Sequence, residues 1–89
     1  MQAALDAVRE GVTDNTLAAV AAERLFRAGS EYCCYQPIVT VGRRSGVPHS
    51  TFHRVAMRRG DPVFLEIGAC VNRYSSPLMR TAVVGPPTE

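Results

Sequence analysis

The chain has 89 residues, 46% of them hydrophobic and 20% charged, a composition typical of one small globular domain or of part of a larger one. Its formal net charge of +2 comes from scattered arginines, without the basic stripe of a nucleic-acid-binding protein, so nucleic acid is not an expected partner. No apolar run reaches the roughly 18 to 20 residues of a membrane span, and the charged N-terminus does not resemble a signal peptide. We therefore predict a cytoplasmic protein without membrane contact.

Helical patterns occupy the N-terminal part of the chain, over 1–29. Residues 1–10 have helical composition and end at Gly11, a residue suited to a left-handed cap. A second helix is predicted over about 14–28, because apolar residues recur there at helical spacing. Thr13 supplies an N-cap hydroxyl, Asp14 places a negative charge in the first turn, and Gly29 ends the helix.

From residue 32 onward the pattern changes to β. Residues 38–41 are predicted as a short strand, 42–46 as a polar turn, and 51–57 as a weakly alternating segment. A tight turn at 58–61 leads into 63–67, an apolar run apart from one acidic residue, typical of a strand that is covered on both faces. Residues 70–75 and 78–84 are predicted as two more strands, joined around Pro77.

These elements predict an α+β fold, helical over 1–29 and β-rich over 32–85, with two helices packed on one face of a mostly antiparallel sheet. The first residues already have a helical pattern, and residues 85–89 have the composition of a connector to a further helix. We therefore expect residues 1–89 to be the N-terminal part of a longer catalytic domain.

Glu66 is the candidate functional residue that stands out, because it interrupts the apolar run over 63–67. A carboxylate in such a strand needs a partner that compensates its burial. Two interpretations are open at this point. The carboxylate forms an ion pair with a nearby arginine such as Arg80, or it belongs to a binding site.

The chain resembles the pita-bread family, which includes methionine aminopeptidases, prolidases, Xaa-Pro aminopeptidases, creatinase and ectoine hydrolase. The resemblance depends on the order and spacing of short motifs along nearly the whole chain: 11–13, 28–31, Pro48 with His49, 60–61, 66–68, Tyr74 and 80–81. It implies that the chain is the first part of a pita-bread fold. The run from Glu66 to Thr81 is most similar to the ectoine hydrolase-like members.

The resemblance also bears on metal binding. In metal-dependent members, two aspartates from this region hold a pair of divalent metals, and the matching positions here are Glu66 and Pro77. Proline has no side-chain oxygen, so we expect no cofactor. Manganese or zinc is the alternative if the protein is a peptidase.

The implied function is hydrolysis of a C–N bond in a small cyclic amidine, as in ectoine hydrolase. Glu66 and His49 are the expected catalytic residues. A carboxylate can bind an amidinium through charge-assisted hydrogen bonds or attack its carbon, and His49, in the loop that follows the polar turn, is the candidate base. Tyr74 and Arg80 are expected to hold the sheet around the site and to complete the substrate-binding set with Glu66 and His49.

Two other functions stay open. One is an Xaa-Pro aminopeptidase or dipeptidase that retains a metal through Glu66 and ligands beyond residue 89. The other is a non-catalytic binding member of the same fold. For the full-length protein the family resemblance implies a homodimer that acts on a small-molecule substrate, whereas residues 1–89 alone are expected to be inactive.

Overall fold

The computed structural model describes residues 1–33, 36–46, 51–72 and 74–85, and of Tyr32 it describes the backbone. The described elements are two helices, four strands and one 3₁₀ turn. In chain order they are α1 (Gln2–Asp6), α2 (Asp14–Arg27), β1 (Tyr32–Cys33), β2 (Ile38–Val41), the 3₁₀ turn (Gly42–Gly46), β3 (Pro62–Val71) and β4 (Tyr74–Val83).

Helix α2 forms where its local signals predict it. The Thr13 hydroxyl accepts a hydrogen bond from the Thr16 backbone N–H at 3.2 Å, which satisfies one of the free N–H groups at the helix start. Just past the C-terminal end of the helix, Gly29 has a φ of 108°, a backbone conformation that favours glycine. No helix in the described residues is long and apolar enough to cross a lipid bilayer.

Helix α1 is shorter than predicted, because it ends at Asp6 rather than at residue 10. The chain beyond it pairs with a distant segment instead of continuing the helix. The Gly11 N–H donates to the Met57 carbonyl at 3.0 Å, and the Met57 N–H donates to the Val12 carbonyl at 2.8 Å. These backbone groups form hydrogen bonds with a residue far away in the sequence. The periodicity of apolar residues cannot predict such long-range bonds.

Strand β3 is the centre of an antiparallel sheet. β4 pairs with it over its whole length, from Pro62 opposite Val83 to Val71 opposite Tyr74. β1 and β2 also pair with β3, at 69–70 and 63–66 respectively, and so lie one after the other along its second edge. Two helices on an antiparallel sheet confirm the predicted α+β class.

The prediction of a break between strands at Pro77 was wrong, because Pro77 lies inside β4, opposite Gly68. The reversal occurs instead after Val71, where Asn72 has a φ of 51°. Among the described strands β4 pairs only with β3, so it is an edge strand, where a missing N–H is tolerated. Residues 51–57 form no strand and make only an isolated bridge, between Thr13 and Ala56.

The core lies between α2 and one face of the sheet, which we call the core face. In β3 the buried side chains alternate, with Val63, Leu65 and Ile67 buried and Phe64 and Glu66 half-buried. The strand therefore has one fully covered face over this run, rather than the two that its apolar composition predicted. The core side chains of the other elements include Leu17, Ala18, Ala21, Val39, Val41 and Met57.

Removal of the Thr40 hydroxyl group is expected to stabilise the folded protein. Its side chain is 1% exposed, and its hydroxyl oxygen is buried without a hydrogen-bond partner among the described residues. We expect Thr40→Val to raise the free energy of unfolding of the complete protein by about 1 kcal/mol, because it removes an uncompensated polar group at nearly constant volume.

The matched control is Thr40→Ser, which keeps the hydroxyl and removes the methyl group. It is expected to lower the free energy of unfolding by about 1 kcal/mol. Urea unfolding followed by circular dichroism measures both changes. A valine variant less stable than the threonine protein would contradict the interpretation.

Candidate functional site

Glu66 lies on the face of the sheet opposite the core face. In the ladder it stands across from Ile38 of β2 and Met79 of β4, and facing residues of an antiparallel ladder share a face. We call this surface the Glu66 face. It is formed by Ile38, Thr40, Phe64, Glu66, Gly68, Pro77, Met79 and Thr81.

The carboxylate of Glu66 is half-buried, and the side chains next to it on its own face are mainly apolar. Phe64 precedes it on the same side of β3, Ile38 stands beside it in β2, and Gly68 follows without a side chain. A carboxylate that is partly withdrawn from water suits a cation or a hydrogen-bond donor as its partner. This part of the ladder therefore fits the recognition of a positively charged group.

The register separates two of the predicted site residues from Glu66. Arg80 faces Leu65 and Tyr74 faces Val71, so both project from the side of the sheet that includes the core face. Arg80 is exposed and donates through Nη1 to the Met79 carbonyl at 2.7 Å, and Tyr74 is 84% exposed. Because Glu66 and Arg80 leave opposite faces, the ladder does not bring them together as an ion pair or in one binding site.

His49, the predicted base, lies outside the described residues. The described chain resumes at Thr51, whose hydroxyl donates to the Pro37 carbonyl at 2.7 Å. The Thr51 carbonyl accepts a hydrogen bond from Nη2 of Arg44 at 2.8 Å. The role of His49 therefore stays a prediction, while Thr51 is attached to the residue before β2 and to the 3₁₀ turn.

Asp14 has a larger role than its sequence position indicated. It is fully buried, and its carboxylate accepts three backbone hydrogen bonds of 2.8 Å, from Asn15, His53 and Val55. The adjacent Asn15 accepts a further bond from the N–H of Arg54, which has a φ of 61°. The N-terminal end of α2 thus holds residues 53–55 in place. An Asp directly after an N-cap threonine was the available signal, but two of its partners lie far along the chain.

The described residues supply one possible metal ligand on the Glu66 face. Pro77 lies diagonally across the ladder from Glu66, about 7–8 Å away between Cα atoms, and has no donor atom. Within the described ranges no three His, Cys, Asp or Glu side chains are grouped so that they could hold a metal ion. Glu66 fits as one oxygen ligand, and a complete metal centre needs further ligands from elsewhere in the protein.

Comparison with known protein families gives a match along the whole chain. Residues 1–89 match the model of the family described as Metallopeptidase family M24. An Xaa-Pro dipeptidase from Pyrococcus furiosus is 34% identical over 89 residues, which is 100% of this chain and 26% of the relative. An ectoine hydrolase from Halomonas elongata is 34% identical over 62 residues, 68% of this chain and 16% of the relative.

Solved structures agree with the sequence comparison. The prolidase from Pyrococcus furiosus superposes with a TM-score of 0.94 at 34% identity, over 99% of this chain and 26% of that chain. The match confirms the predicted pita-bread fold. The chain spans about a quarter of the length of these peptidase relatives.

Two functional expectations change as a result. The prediction that the protein has no cofactor was wrong, because the matching family is one of metallopeptidases and the dipeptidase relative covers the entire chain. The inference failed because it used one position, Pro77, to exclude metal binding. The relatives also favour the Xaa-Pro peptidase alternative over an ectoine hydrolase-like reaction, since the ectoine hydrolase matches a smaller part of the chain.

Proposed function

Because the chain belongs to metallopeptidase family M24 over its whole length, we propose that the complete protein is a hydrolase that cleaves an amide bond of the Xaa-Pro type. The observation that carries this proposal is the end-to-end similarity to an Xaa-Pro dipeptidase, both in sequence and in backbone structure. In this proposal residues 1–89 form the N-terminal part of the catalytic domain.

Glu66 is the residue of this chain that we assign to the reaction. Its carboxylate is held on a rigid central strand, paired on both edges, so its position is set by two ladders of backbone hydrogen bonds. In the proposed site Glu66 is one oxygen ligand of a divalent metal. Such a metal, when bound, polarises the scissile carbonyl group and activates the attacking water.

His49 is proposed as the residue that positions the substrate or transfers a proton. Imidazole changes its protonation state near neutral pH, which suits it to either task. Support comes from its place in the chain, shortly before Thr51, which is attached to the backbone of Pro37. Tyr74 and Arg80 are proposed to act through the sheet and not by contact with the substrate, since they project from the opposite side from Glu66.

A second candidate function is favoured by one specific observation, the proline at position 77. It lies on the Glu66 face where a second carboxylate could have stood, so this part of the site offers a single negative charge. One carboxylate among apolar neighbours suits a small amidinium, which it can bind with two parallel hydrogen bonds. The second candidate is therefore hydrolysis of a cyclic amidine, the reaction class implied by the resemblance to ectoine hydrolase.

A substrate panel on the complete protein separates these functions. An Xaa-Pro dipeptide, ectoine and creatine are each incubated with the protein, with and without a chelator, and the bound metal is measured by mass spectrometry. We expect turnover of the dipeptide, its loss on chelation, and its recovery when manganese or zinc is added back.

The other outcomes are equally informative. Turnover of ectoine without turnover of the dipeptide would establish the second candidate and overturn the first. Binding of any of these compounds without turnover under all metal conditions would overturn both and favour a non-catalytic binding protein.

A further inference from the structure

A concave surface lies at the end of the sheet where β2 finishes and β3 begins. It has a volume of about 480 Å³, within the range of small-molecule sites. We call it the arginine pocket. The lining residues that matter for the argument are Val41, Arg43, Arg44, Val55, Arg58 and Asp61.

The arginine pocket is separate from the Glu66 face. Asp61 immediately precedes β3, and Glu66 follows five residues later along an extended strand, a separation of about 16 Å. Val41 projects toward the core face, opposite to the side from which Glu66 projects. A ligand in the pocket therefore does not contact Glu66.

Charge in the pocket is mixed but mostly positive, with three guanidinium groups and one carboxylate. Arg43 and Arg58 are exposed, and neither forms an ion pair with another described residue. Arg44 is half-buried and is held by its bond to the Thr51 carbonyl. Guanidinium groups bind carboxylates through paired, charge-assisted hydrogen bonds, so Arg43 and Arg58 can hold a carboxylate at the mouth of the pocket.

Asp61 restricts the kinds of anion that the arginine pocket can bind. One carboxylate oxygen, Oδ2, accepts a hydrogen bond from the Arg58 backbone N–H at 2.9 Å, which orients the side chain. The other oxygen, Oδ1, lies close to Gly42. A Cβ atom placed on that glycine would be 3.5 Å from this oxygen. A fixed negative charge repels a phosphate or another polyanion, but it attracts an ammonium group. The half-buried side chain of Val55 provides an apolar wall, whereas the side chain of Val41 is 2% exposed and belongs to the core.

We propose that the arginine pocket binds a free α-amino acid with an aliphatic side chain. Its carboxylate lies against Arg43 and Arg58, its ammonium group against Asp61, and its side chain against Val55. This inference does not depend on the proposed function, because it uses none of the residues of the Glu66 face.

Calorimetric titration of the complete protein tests the proposal with L-valine and two analogues that each lack one charged group. Isovalerate keeps the carboxylate and the branched chain, and isobutylamine keeps the ammonium and the branched chain. We expect valine to bind about tenfold more tightly than either analogue, since each loses one charge-assisted interaction. Inorganic phosphate is expected to bind more weakly than valine.

Single substitutions test where on the protein valine binds. Arg58→Gln is expected to weaken valine binding about tenfold, whereas Arg59→Gln, a control that removes the same charge in the same turn, leaves it unchanged. Asp61→Asn is expected to weaken binding of valine but not of isovalerate. Glu66→Gln is expected to leave valine binding unchanged, which distinguishes the pocket from the proposed active site.

Several results would overturn the proposal. These are no valine binding, equal binding of valine and isovalerate, tighter binding of phosphate than of valine, or equal losses in Arg58→Gln and Arg59→Gln. A loss of valine binding in Glu66→Gln with none in Arg58→Gln would place the amino acid on the Glu66 face and would also overturn it. Circular dichroism of each variant checks that the fold is retained.

Discussion

Replacing Asp14 with alanine is expected to lower the free energy of unfolding by about 3–5 kcal/mol, the largest loss of stability that we predict for this chain. The carboxylate is fully buried and accepts three backbone hydrogen bonds. Alanine leaves these N–H groups without their partner, and two of them belong to residues 53 and 55, which α2 would then no longer hold.

A graded series separates the hydrogen bonds from the packing. Asp14→Asn keeps the size and one acceptor oxygen, so the expected loss is smaller, about 1–2 kcal/mol. Asn15→Ala is the matched control at the next position, where a single bond to the Arg54 N–H at 2.6 Å is removed from a more exposed site, and about 1 kcal/mol is expected. Urea unfolding of the complete protein, followed by circular dichroism, provides the measurement. An alanine variant within about 1 kcal/mol of the parent would show that these bonds do not hold the loop.

Replacing Glu66 with glutamine is expected to lower kcat/KM of the complete protein at least about 100-fold, toward whichever substrate it hydrolyses. Glutamine keeps the shape of the side chain and removes its charge, so the change tests the charge alone. Because Glu66 is also the proposed metal ligand on this face, the affinity for the divalent metal is expected to fall at least about tenfold. Kinetics and metal analysis of the same preparation measure both effects.

Two comparisons give this test its specificity. Glu23→Gln removes a carboxylate from the exposed face of α2, where it pairs with Arg27 at 2.6 Å, and activity should not change. Pro77→Asp adds a carboxylate to the Glu66 face and should increase metal binding, whereas Leu78→Asp adds one to the opposite face and should not. If the Glu66→Gln variant keeps full activity, the assignment of Glu66 to the reaction is wrong.

The elements that were predicted well are those defined by neighbouring residues. Helix α2 needs a hydroxyl at its start, a repeat of apolar residues and a glycine after its end, and all of these lie between Thr13 and Gly29. Such signals act through hydrogen bonds and side-chain contacts one turn apart, so they can be read along the chain. Strand β2 was predicted for a similar reason, since its residues favour an extended backbone.

The candidate site could be predicted only in part. Glu66 was recognisable because a carboxylate interrupts an apolar run, and this observation needs no knowledge of the fold. The grouping with Arg80 and Tyr74 needed the register of β3 against β4, in which a shift of one residue exchanges the two faces. The no-cofactor prediction failed because it treated Pro77 as if it were a complete ligand set, although further ligands can come from distant parts of a protein.

Composition and short-range pattern were thus sufficient for the α+β class, for α2 and for the unusual carboxylate at position 66. Long-range pairing was needed for the end of α1, the continuous hairpin through Pro77, the buried role of Asp14 and the side of the sheet on which each candidate residue lies. The physical reason is that a cap or an apolar repeat stabilises structure among adjacent residues. A backbone hydrogen bond such as that between Met57 and Val12 joins residues whose proximity exists only after the chain has folded.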